Sequence, residues 1–181
     1  MMMRILLALG FLCGAASAKS ALTLEEAISD AESALDGGRV GDAIQTSERL
    51  LKSRGLTKDE LARVEVIVAR CKLVEGRYGE SEKLLAKRIK ASPDDPRLAE
   101  WYARALDGNG KGDAAFAPLK DLAKKDALAE GDSYWALARL ERQKGDTKQA
   151  RAHAKLALEK PIVLQSEELE QAIHKFIDEL K

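Results

Sequence analysis

The 181 residues carry 30 basic against 30 acidic side chains, and hydrophobic residues make up 45% of the chain. Binding to a phosphate backbone draws on an excess of Lys and Arg, so this balance excludes nucleic acid as the main partner. With aromatic residues at only 4%, the core has to come from Leu, Ala, Val and Ile, which suits closely packed helices.

In chain order, the first segment reads as a leader rather than as part of the fold. Arg4 gives a positive start, Ile5 to Cys13 an apolar stretch too short to span a bilayer, and Ala16-Ser17-Ala18 a small-residue cleavage site. Residues 1–18 are therefore expected to be a signal peptide cut after Ala18, which leaves no membrane span and places the mature chain in a bacterial periplasm or outside the cell. A lipid anchor on Cys13 is the competing reading, but bulky Leu12 stands where such processing wants a small side chain. Cys71 is then the single cysteine of the mature chain and has no partner for an internal disulfide. It lies in an apolar helical pattern and reads as a small buried hydrophobe.

From residue 22 the chain divides into four helical hairpins, over 22–56, 57–93, 94–129 and 130–161. Thr23 with Glu26 and Thr57 with Glu60 have capping-box spacing at the starts of the first two hairpins. Asp36-Gly37-Gly38, Glu75-Gly76, Asn109-Gly110 and Lys144-Gly145-Asp146 each interrupt a helical pattern. Their key glycines, Gly38, Gly76, Gly110 and Gly145, are 38, 34 and 35 residues apart. Seven residues before each stands an alanine: Ala31, Ala69, Ala103 and Ala138. Five residues after come Ala43, Ser81, Ala115 and Ala150. Small side chains at matched points let two antiparallel helices approach closely. Asp42, Asp113 and Asp146 favour the starts of the second helices. Pro118 falls inside the second helix of the third hairpin, either in its first turn or at a bend. Pro93 and Pro161 close the second and fourth hairpins. Beyond them, over 162–181, Leu169, Ile173, Phe176, Ile177 and Leu180 form one apolar stripe, the pattern of a helix that covers the open end of a stack.

A period of about 34 residues marks stacked helical hairpins. On these glycines, alanines and closing prolines the chain resembles the tetratricopeptide repeat family over Thr23 to Pro161. The match is most specific from Tyr134 onward, in Leu137-Ala138, Gly145-Asp146, Ala150, Ala157-Leu158 and Pro161. The first hairpin departs from the pattern at Asp30, where an apolar residue is expected. The resemblance implies an all-α fold, an α-solenoid of antiparallel helix pairs with an amphipathic capping helix. It also implies a protein or peptide partner held on the inner wall formed by the first helices.

Catalytic chemistry finds little to work with. His153 and His174 stand on different helices with no metal-type spacing around them, and both read as surface or boundary residues. Gly108 to Gly112 lacks the spacing and the preceding strand of a phosphate-binding loop. The chain is thus read as a non-enzyme with no cofactor and no metal.

Six residues before the key glycines stand Glu32, Arg70, Arg104 and Arg139, positions that the resemblance puts on the inner wall. With Arg63, Arg97 and Arg142, and with Trp135 as an apolar anchor, they are expected to form a basic groove for an acidic or C-terminal segment of an envelope protein. The plainer reading pairs the same arginines with Glu65, Glu100, Asp107, Asp132 or Glu141. A second functional reading makes the chain a structural subunit of an envelope or secretion assembly, using its convex face or last helix. The oligomeric state stays open.

Overall fold

The computed structural model describes residues 22–163 and 166–180, so the expected leader and Cys13 lie outside the described residues. Nine helices follow one another within that range. They are α1 (Leu24–Asp36), α2 (Val40–Lys52), α3 (Lys58–Val74), α4 (Tyr78–Ala91), α5 (Pro96–Gly108), α6 (Gly112–Lys124), α7 (Gly131–Gln143), α8 (Thr147–Glu159) and α9 (Glu167–Glu179). Each expected hairpin contains one pair, and α9 stands where the capping helix was placed.

Local chemistry sets the ends. Thr23 and Thr57 both close full capping boxes with Glu26 and Glu60. At the other end of each first helix the key glycine takes positive φ, between 72° at Gly76 and 82° at Gly145. The next residue then donates back to a carbonyl five positions earlier, as Arg77 N–H does to Lys72 O at 2.8 Å and Asp146 N–H to Glu141 O at 2.9 Å. This is the Schellman closure, and its left-handed residue is costly for any side chain with a Cβ.

The matched small residues meet as their spacing requires. Ala31, Ala69, Ala103 and Ala138, with Ala43, Ser81, Ala115 and Ala150, are all buried. In the second pair the Ser81 hydroxyl donates to Ala69 O at 2.8 Å, so the two close-approach points touch directly. First helices stack on first helices, α1 on α3, α3 on α5 and α5 on α7, while each second helix packs between its own partner and the next first helix. The core accordingly runs in three consecutive pieces, around Ile28 and Ile67, around Leu85 and Trp101, and around Leu119, Leu137 and Ile173. Asp30, the departure in the first hairpin, is exposed and disturbs none of them.

Pro118 is the seventh residue of α6, well past the first turn, and it is exposed. It offers no N–H to the preceding turn, so α6 forgoes one helical hydrogen bond there. Pro118→Ala restores that donor. We expect a gain of about 1 to 2 kcal/mol, the propensity difference less the added freedom of the unfolded chain. Urea denaturation of the two proteins checks it.

Burial accounts for Cys71 as well. The side chain is 2% exposed, and burial, followed by the Glu75 carboxylate, pushes its thiol up to about 11 from an ordinary 9.0. The folded state thus holds the protonated thiol more strongly than the unfolded state does. The stability this contributes is complete below pH 9 and is lost as pH rises from there toward about 11. At neutral pH, alkylation of Cys71 is expected to be slow and to accelerate only with denaturant, read by mass spectrometry.

Candidate functional site: the wall of first helices

Every arginine singled out in the sequence lies on the row of first helices, and each meets a carboxylate from another hairpin or, for Arg142, from the capping helix. Arg63 forks between Glu25, at 2.6 Å, and Glu32, at 2.7 Å. The Glu32 bonds, then the Glu25 bonds, raise its affinity for the proton further above an already high value. Arg70 donates to Asp36 at 2.6 Å, Arg139 to Asp107 at 2.6 Å, and Arg142 to Glu179 of α9 at 2.9 Å. The wall is charge-paired along its length, whereas the basic groove expected from the sequence counted only its cations. Of the acids named as partners in the plainer reading, Glu100, Asp107 and Asp132 do meet these arginines. Glu65 turns instead to Lys87 and Arg88 on α4. Glu141, fully buried, takes a hydrogen bond with His153 Nδ1 at 2.7 Å across the α7–α8 interface.

Three of the arginines converge on a residue the sequence did not mark. Glu130, 5% exposed, precedes α7. It accepts from Arg97 at 3.2 Å, from the Trp101 indole N–H at 2.8 Å and from Arg104 through a very short bond. Arg70 stands 3.7 Å away. The Trp101 ring is flanked by the guanidinium groups of Arg70 and Arg97, at 4.4 and 4.8 Å from its centre, a cation–π arrangement. Glu100, fully buried on α5, accepts from the backbone N–H groups of Ala129 and Glu130 and so fixes the loop that presents Glu130. No sequence motif flags Glu130, because it occupies a helix-start position where an acid is ordinary. Trp101 carried a signal only as one of two tryptophans.

Beside this node opens a cavity of about 410 Å³ between the C-terminal ends of α3 and α5 and the start of α7. Leu73, Ala136, Trp135 and Leu169 of α9 supply apolar walls, and Arg104, Arg139, Asp107 and Asp132 supply charge. Trp135 is held edge-on against Phe176 at 4.9 Å, so the capping helix fixes the ring that faces the cavity. Tyr78 closes one side, with its ring lying on Gly108, where a Cβ would come within 2.3 Å of it. Arg139 is 42% exposed, and its Nε, itself out of contact with water, has no hydrogen-bond partner among the described residues. The cavity thus combines an aromatic surface with a partly exposed guanidinium that gives a single bond to Asp107.

Among the described residues no helix is long and apolar enough to cross a membrane. No family model matches the sequence, and no curated protein does. Solved structures do match. A tetratricopeptide repeat protein from Parabacteroides merdae ATCC 43184 is 16% identical, with a TM-score of 0.59 over 87% of this chain. This chain covers 57% of that protein's length. MamA of MSR-1 is 18% identical, with a TM-score of 0.58 over 87% of this chain and 84% of its own. MamA of AMB-1 is 17% identical, with a TM-score of 0.57 over 85% of this chain and 84% of its own. What the chain shares with them is its architecture, an all-α tetratricopeptide-type solenoid.

Proposed function

We propose that the chain is a non-catalytic binding module of the bacterial cell envelope, exported by cleavage after Ala18, which holds a segment of a partner protein against its row of first helices. The cavity at Trp135 carries the proposal. It has the size of a large side chain or a short peptide segment, apolar walls, and at its rim the 42% exposed Arg139, which gives one bond to Asp107. A segment with an apolar side chain followed by a carboxylate suits it, the first against Trp135 and the second on Arg139. Arg63, Arg70, Arg97 and Arg104 frame the rest of the path as positioning residues, because Arg63 and Arg97 each divide between two carboxylates and Arg70 and Arg104 are enclosed, whereas Arg139 is open and gives one bond. Arg142, bound to Glu179, ties down the cap behind Trp135.

Site-specific photo-crosslinking separates this reading from the one in which the convex face does the binding. A photoreactive residue replaces Arg139 in one protein and the exposed Glu48 of α2 in another, each expressed with its leader in cells of the native host. Crosslinks from position 139 to a defined partner segment, absent from position 48, support the groove. Crosslinks from position 48 alone sink it. N-terminal sequencing of the protein from the periplasmic fraction tests the export step, with Lys19 as the expected first residue.

A further inference from the structure

The arginines of the first helices are all matched by acids, but the cations of α8 are not. Lys148, Arg151 and Lys155 stand three and four residues apart, which puts them on one face of the helix. They surround a surface cavity of about 440 Å³ that is floored by Ala152 and Leu180. None of the three has an ion pair or side-chain hydrogen bond within the described residues. Arg151 is half-buried, whereas Lys148 and Lys155 are exposed. Asp146 caps the start of α8 by accepting from Gln149 N–H at 3.1 Å, so its carboxylate is engaged with the helix backbone. Three unmatched cations on one face of a helix add no ion pair to the fold.

We infer that this face of α8 is a docking surface for an acidic helix of a partner protein. Length decides against a single small anion, because Lys148 and Lys155 are seven residues apart, which is about 10 Å along a helix. One phosphate cannot span that distance, whereas carboxylates at the same spacing on a packed helix can meet all three cations. Ala152 and Leu180 give such a helix an apolar strip to lie on. The surface is separate from the groove at Trp135, so either can fail without the other.

The test uses the full mature chain and a fluorescent synthetic helix carrying a single stripe of glutamates at the spacing of Lys148, Arg151 and Lys155. A glutamine version of the peptide serves as control, and inorganic phosphate as competitor. We expect the glutamate peptide to bind, to weaken as salt is raised, and to lose about tenfold or more in affinity when all three cations become glutamine. The milder Lys148→Gln/Lys155→Gln protein, which leaves half-buried Arg151 in place, is expected to lose part of that affinity with an unchanged melting temperature. The inference is overturned if the two peptides bind equally, if the triple variant binds as the native chain does, or if phosphate displaces the peptide at matching concentration. Binding to anionic lipid vesicles with the same dependence on the three residues would also overturn it, as would self-association that the triple variant abolishes.

Discussion

Replacing Glu130 with alanine is expected to lower the unfolding free energy by about 3 to 5 kcal/mol, the cost of removing one partner from a buried ion pair. Arg70 and Arg104 are nearly as enclosed as Glu130, at 8% and 14% side-chain exposure against 6%. Without the carboxylate, Arg104 keeps only Asp132 at 3.5 Å and Arg70 only Asp36, while the Trp101 indole N–H loses its acceptor. Arg97 is 36% exposed and can turn to water, which places the result toward the lower end of the range. Glu130→Gln keeps the shape and an acceptor oxygen but removes the charge, and should fall between the native protein and the alanine variant. Urea denaturation reads both. A double-mutant cycle with Arg104→Met separates the Glu130–Arg104 coupling from the rest of the node. A loss within 1 kcal/mol for Glu130→Ala would mean that water replaces the carboxylate freely.

Gly131→Ala is expected to cost about 2 to 3 kcal/mol although it adds one methyl group. Gly131 begins α7 and lies against the end of α8, with its N–H donating to Pro161 O at 2.8 Å. A Cβ there would sit 2.4 Å from Ala157 O and 3.0 Å from Lys160 O, both backbone atoms, and 2.8 Å from Ile162. Side chains can turn away, but a helix end has to move as a body. For a chain of this size each kcal/mol lowers the melting temperature by about 2 to 4 °C, so a thermal melt followed by circular dichroism resolves the effect. Gly108→Ala makes the useful contrast, since its short contact is to the Tyr78 ring, which is exposed and free to shift.

How far the molecule could be read from its sequence depends on the reach of each feature along the chain. Gly76 and Gly145 mark turns that close within six residues, and the matched points Ala69 and Ser81 are twelve apart, so both belong to patterns visible in one hairpin. The positions of the arginines on the first helices followed from the same register. Their partners did not. Arg63 bonds to Glu25 and Glu32, which hold in the first hairpin the places that Arg63 and Arg70 hold in the second, so that pairing was open to a reader who laid the hairpins side by side. Glu130 has no such counterpart. It lies 33 residues from Arg97 and 26 from Arg104, in a loop whose course is fixed by buried Glu100. Only the packed structure brings it to them. The Trp135 cavity was legible in its tryptophan and its arginine, whereas Leu73 and Leu169 reach it from helices far apart in sequence.

The approach of Glu130 to Arg70 has a mechanical consequence. A stack whose elements touch only their neighbours behaves as a spring, with pitch and curvature that yield to small forces. Glu130 belongs to the fourth hairpin and Arg70 to the second, so their 3.7 Å contact skips a level and acts as a brace across the coil. The Arg70 guanidinium over the Trp101 ring ties the second hairpin to the third, and the Trp101 indole N–H ties the third to Glu130 of the fourth. Bracing of this kind holds the inner surface at one curvature whether it is empty or occupied, and a ligand that fits spends little of its binding energy on shaping its host.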